Sequence, residues 1–164
     1  MFDSITMSIP VRTDGNQLPL MIEEVIASHW GLESLNDEND RCDRCHQYRT
    51  RLKKTTVVRW PQVLVLHLKR WEVVQIRPVF RRKKVDAKVS FDTVLDVEGG
   101  SGHYDLRGIV NHEGQAGGGH YTAHVRAHDN KWYFCDDRAG AVPRNVPVAT
   151  ALASQAYLLV YERA

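Results

Sequence analysis

The run VLVLHLKRW, Val63 to Trp71, decides how the chain is read. Successive side chains of a strand point to opposite faces, so Leu64, Leu66 and Leu68 share one face, and Val63, Val65, His67 and Lys69 the other. Apolar residues on both faces at its start predict a central strand, buried on both sides there. Working outward, Thr55-Thr56-Val57-Val58 is β-branched and extends the β pattern backward. Leu18 to Trp30 carries Leu18, Met21, Ile22, Val25 and Ile26 at the spacing of an amphipathic helix, which Gly31 can stop. Ile5, Met7 and Ile9 alternate with Thr6 and Ser8 as a strand ending at Pro10. Downstream, Val85–Phe91, Tyr104–Val110, Tyr121–Val125, Lys131–Cys135 and Tyr157–Tyr161 read as further short strands. One early helix followed by many strands predicts an α+β fold built on a mostly antiparallel sheet.

At 164 residues the chain fits one domain, or a large piece of one. Its hydrophobic and charged fractions, 43% and 26%, are ordinary for a soluble globular protein and exclude long disorder, collagen and coiled coil. No stretch approaches the ~18 apolar residues of a membrane helix. The N-terminus lacks a basic region followed by a long apolar core, so no signal peptide is expected, and cytoplasm and nucleus both remain open. Three cysteines, an odd number, argue against a disulfide framework.

The net charge of +2 hides an asymmetry. Residues 1–40 hold eight acids and one base; residues 41–88 hold fifteen bases and three acids. Such a basic block can attract nucleic acid or an acidic protein face. The plainer reading is a solvated strand edge kept from aggregating by Lys and Arg. A basic nucleic-acid-binding β domain would also need aromatic stacking residues on one sheet face, and the alternation shows no such platform.

The segment GGGHYTAHVR, Gly117 to Arg126, leads a glycine run into His120 at the start of a strand. Glycine lets a loop bend tightly and a substrate backbone approach closely, and a His below such a loop can be a general base. Sixteen residues after His120 comes Asp136, in WYFCDD, Trp132 to Asp137. A hairpin through Ala127 to Lys131 would bring His120 and Asp136 to neighbouring strand ends, where a carboxylate could hold the imidazole tautomer. A lone His is more often structural; the pair at this spacing is more specific. A base and its acid call for a nucleophile. Cys135 neighbours Asp136, so their side chains point to opposite faces, and it reads as a small buried thiol. Cys42 and Cys45 form a C-x-x-C, which suits metal thiolates or a redox pair better than a protease nucleophile, and is half of a tetrahedral zinc site.

Six segments in register, RCDRC (Arg41–Cys45), WPQVLVLHLKRW (Trp60–Trp71), YDLRGIVNHEG (Tyr104–Gly114), GGGHYTAHVR, WYFCDD and AYLLVYER (Ala156–Arg163), resemble the carboxy-terminal half of a ubiquitin-specific protease catalytic domain. The resemblance runs from about Phe2 to Arg163. It implies a papain-like cysteine peptidase palm with partial fingers, residues 1–60 in the fingers region and 61–164 in the palm. The implied activity is thiol-dependent cleavage of the isopeptide or peptide bond after the carboxy-terminal glycine of ubiquitin. His120 matches the catalytic His, Asp136 the third member of the triad, and Asp137 the second acid. Tyr121, with Gly118 and Gly119, would line the channel for the ubiquitin tail. The segment 112–119 resembles the mobile loop over that tail, and 72–84 the other covering loop, with Arg81–Lys84 a solvated hairpin tip. Cys42 and Cys45 match the second cysteine pair of the fingers' zinc ribbon.

The departures are equally specific. Nothing in the chain matches the family's catalytic Cys box or the first cysteine pair of the ribbon. The expectation is therefore a chain that carries base and acid but no nucleophile, is inactive alone, needs no cofactor for catalysis, and holds zinc only if an upstream cysteine pair exists. Its expected partners are ubiquitin and ubiquitinated proteins, with no nucleic acid and no membrane. A catalytically dead ubiquitin-recognition module is the competing reading, which an upstream Cys box in the parent gene would exclude.

Overall fold

In the computed structural model the described residues are 2–8, 20–35, 42, 44–48, 51–76, 78–97, 102–115, 118–138 and 140–164. The decisive run becomes strand β5, Val63–Lys69, with Leu64, Leu66 and Leu68 fully buried, Val63, Val65 and His67 half-buried on the opposite face, and Lys69 exposed. Its predecessors are β1 (Phe2–Ser8), β2 (Leu20–Met21), α1 (Ile22–Trp30), β3 (Glu33–Leu35) and β4 (Arg51–Lys53). After it come β6 (Trp71–Ile76), β7 (Val79–Lys84), β8 (Val89–Ser90), β9 (Val94–Asp96) and β10 (His103–Gln115). The chain ends through β11 (Gly118–Arg126), β12 (Trp132–Asp136), β13 (Arg144–Val146), α2 (Val148–Leu152) and β14 (Ala156–Arg163).

The main sheet has eight strands in the order β1-β5-β14-β10-β11-β12-β13, with β9 beside β10. Its pairs are antiparallel except β1 with β5. Helix α1 contributes Ile22 and Val25 to one buried cluster with Leu64, Leu66, Leu68, Leu106, Ile109 and Leu159. Each such side chain stabilises the fold by roughly 1.5–3 kcal/mol through burial. The α+β architecture read from the sequence is the observed one.

Several local expectations are corrected. The helix begins at Ile22, not Leu18, because Leu20 and Met21 pair in parallel with Val89 and Ser90. Met21 offers no capping oxygen; instead Glu24 accepts the Met21 N–H at 3.0 Å, half of a capping box. Residues 54–57 are not a strand. Val63–Trp71 is not one strand but two, broken at Arg70. The Arg70 side chain is 1% exposed and donates from Nε to the Ala156 carbonyl at 2.8 Å, and from Nη1 to those of Val85 at 3.0 Å and Ala87 at 2.8 Å. A guanidinium turned inward to satisfy three carbonyls draws the backbone out of the ladder. Val85–Phe91 keeps only the two-residue strand β8, although Val85, Val89 and Phe91 are buried as the alternation suggested. Ile9, Pro10 and Leu18 lie outside the described residues.

The two segments expected as covering loops are more regular than loops. Within 72–84, β6 and β7 pair antiparallel, with Trp71 opposite Lys84 and Ile76 opposite Val79; Arg77 lies outside the described residues. Arg81–Lys84 is therefore in the return strand β7 and not at a tip. Of 112–119, His112–Gln115 and Gly118–Gly119 are the converging ends of β10 and β11, paired as far as Gln115 with Gly118; Ala116 and Gly117 lie outside the described residues.

Candidate active site

The turn that builds the site lies at residues 127–131. Asn130 takes φ +61, its N–H reaches the Ala127 carbonyl, and the Ala127 N–H reaches that of Lys131. Asn tolerates the left-handed conformation better than most residues. The hairpin then pairs Thr122 with Asp136, so His120, two residues beyond, stands beside Asp136. Nε2 of His120 lies 2.7 Å from Oδ1 of Asp136, both half-buried. The same Oδ1 accepts the Arg138 N–H at 3.0 Å. That backbone hydrogen bond, joined by those of the imidazole, holds the Asp136 carboxyl below the usual carboxylate range against the opposing effect of burial. An ionised Asp136 accepts the Nε2 proton, leaving the Nδ1 lone pair as the basic atom. Nδ1 lies 3.7 Å from Oδ1 of the exposed Asp137.

The other expected site residues lie on a different face. Alternation along β11 turns Tyr121 away from His120, and its register partner is His112. The two rings meet with centroids 4.7 Å apart, and His112 also packs on Trp71 and Tyr157. A cavity of about 250 Å³ opens between Trp71, Arg82, His112, Gln115, Gly118, Gly119 and Tyr121. The structure thus joins His120, Asp136 and Asp137 in one group, and Gly118, Gly119 and Tyr121 in a neighbouring hollow. Gly119 bridges them, and no side chain fits there: a Cβ would lie 2.2 Å from Nε2 of His112 and 2.6 Å from the Glu113 carbonyl. Sequence reasoning missed Trp71 and His112 as lining residues of this hollow. Trp71 and His112 carry polar ring atoms among apolar neighbours, a signal that by itself also fits an ordinary core residue.

Cys135 is half-buried, less enclosed than expected, with Sγ 3.9 Å from the Tyr133 carbonyl. Cys42 and Cys45 sit in a tight turn closed by His46 N–H on the Cys42 carbonyl at 2.7 Å, with His46 at φ +58. The backbone N–H groups of Cys45 and Arg44 lower the Cys42 thiol pKa, the condition a metal thiolate requires. Among the described residues the one group of three or more metal-ligating side chains is His120, Asp136 and Asp137, so none joins the cysteine pair. Nor, among the described residues, is any helix long and apolar enough to cross a membrane.

Comparison with known proteins gives this geometry its context. Residues 23–161 match the family model described as "Ubiquitin carboxyl-terminal hydrolase". Ubiquitin carboxyl-terminal hydrolase 22 of Bos taurus is 30% identical over 145 residues, which cover 75% of this chain and 27% of the relative. Ubiquitin carboxyl-terminal hydrolase 12 of Saccharomyces cerevisiae is 37% identical over 132 residues, covering 74% of this chain and 10% of the relative. Among solved structures, a yeast SAGA DUB module chain superposes with a TM-score of 0.83 at 28% identity, covering 99% of this chain and 35% of that one. A SAGA DUB module bound to monoubiquitin gives 0.74 at 27%, covering 99% and 35%. The chain thus spans about a quarter of the first of these relatives and about a third of the matched structures. The partial papain-like α+β fold and six ordered motifs agree with the family match, and this chain belongs to the ubiquitin carboxyl-terminal hydrolases, a deubiquitinase family.

Proposed function

We propose that the chain supplies the base and acid of a thiol-dependent deubiquitinating site, cleaving after the carboxy-terminal glycine of ubiquitin. The observation that carries this is the 2.7 Å contact between Nε2 of His120 and Oδ1 of Asp136. Asp136 fixes the imidazole by its Nε2 proton and stabilises the imidazolium when it forms. Nδ1 then takes the proton of a cysteine thiol, producing the thiolate that attacks the scissile carbonyl, and returns it to the leaving amine. Exposed Asp137 places a carboxylate oxygen 3.7 Å from Nδ1. Gly118, Gly119 and Tyr121 line the hollow that receives the tail, where the absence of side chains at the glycines lets an extended Gly-Gly segment approach.

The nucleophile lies outside this chain's three cysteines. Cys135 projects to the face opposite Asp136, and Cys42 and Cys45 belong to a turn suited to a structural zinc. With a second cysteine pair they would complete a four-thiolate site, whose role is to hold the fingers' strands together. A ubiquitin probe with a thiol-reactive end is expected to leave the purified chain unlabelled, and metal analysis of the same preparation to find less than stoichiometric zinc. Labelling at any of Cys42, Cys45 or Cys135 would refute the division of the triad; one zinc per chain would refute the half-site. The matched structures bound to monoubiquitin and to ubiquitin aldehyde support ubiquitin as the partner. Cytoplasm and nucleus both fit this reading.

A further inference from the structure

The basic run at the end of β7 divides into two kinds of residue. Arg81, Arg82 and Lys83 are exposed, whereas Lys84 is half-buried at the base of the hairpin. Its ammonium donates to the His112 carbonyl at 2.9 Å and lies 3.4 Å from that of Gly114. Trp71, its register partner, meets the His112 ring edge to face with centroids 5.7 Å apart. The base of one covering hairpin therefore grips β10 at a single residue from two sides.

His112 passes this constraint on. Its ring fills the space above Gly119, where even a methyl group would collide. Gly119 is bonded to His120 and pairs across the ladder with Gly114, which holds φ +117. The arm formed by Gly114, Gly118 and Gly119 has more backbone freedom than any other composition would allow. An ammonium on two carbonyls is a charge-assisted contact, about twice as strong as a neutral one, and it anchors the point where that freedom would reach the imidazole.

We propose that Lys84 is a positioning residue for His120: its ammonium, acting through His112 and Gly119, holds the glycine arm so that the imidazole stays on Asp136. The role rests on His120 being the proton-accepting group of the site. It also ties the two covering segments together, so displacement of the β6–β7 hairpin by a bound protein would be felt at His120.

The test uses the 164-residue chain without ubiquitin or a nucleophile, so its outcome is separate from that of the labelling experiment. Lys84→Met keeps the apolar stem and removes the ammonium; Lys84→Arg keeps the charge. Amide exchange at Gly118, Gly119 and His120 is expected to quicken about tenfold in K84M, the effect of losing one hydrogen bond to a charged group. The imidazole 15N signals of His120 should move from a fixed Nε2–H pattern toward averaging of the two tautomers. K84R should restore both. Unchanged exchange and imidazole signals in K84M would overturn the proposal. So would equal acceleration across β5 and β14, which would make Lys84 a residue of the fold at large, or a failure of K84R to restore the imidazole pattern.

Discussion

Gly119 shows how little room the site leaves at the level of one residue. Its neighbours, the ring of His112 and the carbonyl of Glu113, approach from a side chain and from the facing backbone. A side chain can rotate away, but a paired strand cannot without breaking the ladder. Gly119→Ala is therefore expected to lower stability by about 1–3 kcal/mol, the usual cost of overpacking. Gly118→Ala, with open space around its Cβ position, should cost much less. Urea denaturation of the two variants checks this, and equal midpoints would contradict the crowding. His120 and Asp136 were legible in the sequence because a short turn between alternating strands fixes which residues meet. The neighbouring hollow was legible in part, since the family resemblance named Gly118, Gly119 and Tyr121. Its company of Trp71, His112 and Tyr157 depends on strands distant in sequence, which no local pattern announces.

Among the elements, the break between β5 and β6 has the largest consequence. Arg70 sits where a continuous strand was expected, and its guanidinium links β14 to the segment that follows β7. That pull ends β5 and frees β6 to pair with β7, which carries Trp71 and Lys84 to the site. Arg70→Met fills similar volume but strands three carbonyls, each unmade buried hydrogen bond costing about 1–3 kcal/mol. A loss of at least about 3 kcal/mol is expected by chemical denaturation, and a loss below about 1 kcal/mol would show that water replaces the guanidinium. Strand positions were largely legible because burial imposes a two-residue period, as in Leu64, Leu66 and Leu68. What was not legible were the elements set by a single distant partner: the Leu20–Met21 pairing that delays α1, the Arg70 break, and the short β13 and α2, which carry too few residues for any period to emerge.

Across the whole molecule, the sheet encloses histidines in three of its central strands, with His112 and His124 buried and His67 half-buried. His67 on β5, His112 on β10 and His124 on β11 all have their pKa values lowered, with burial the leading cause and, for His112, the positive charge of Lys84 adding to it. His124 is 5% exposed, and its Nδ1 accepts a hydrogen bond from the Asn111 amide at 3.2 Å, a contact that protonation at Nδ1 would abolish. In the unfolded chain each imidazole titrates near its ordinary value of about 6.5. Between that value and the lower folded one, the unfolded state binds protons that the folded state refuses, so stability falls as pH falls. The contribution is fully present above about pH 6.5 and declines below it, by at most about 1.4 kcal/mol per pH unit for each histidine. Asp136, whose pKa is also lowered, adds a second loss only as pH falls from the ordinary carboxylate value of about 3.9 toward its lower folded one. Urea midpoints followed from pH 7.5 to 5 should therefore decline before any carboxylate titrates, and His124→Gln should flatten that decline while keeping a neutral partner for Asn111. A midpoint constant down to pH 5, or an unchanged slope in the variant, would mean that these imidazoles reach water in the folded protein.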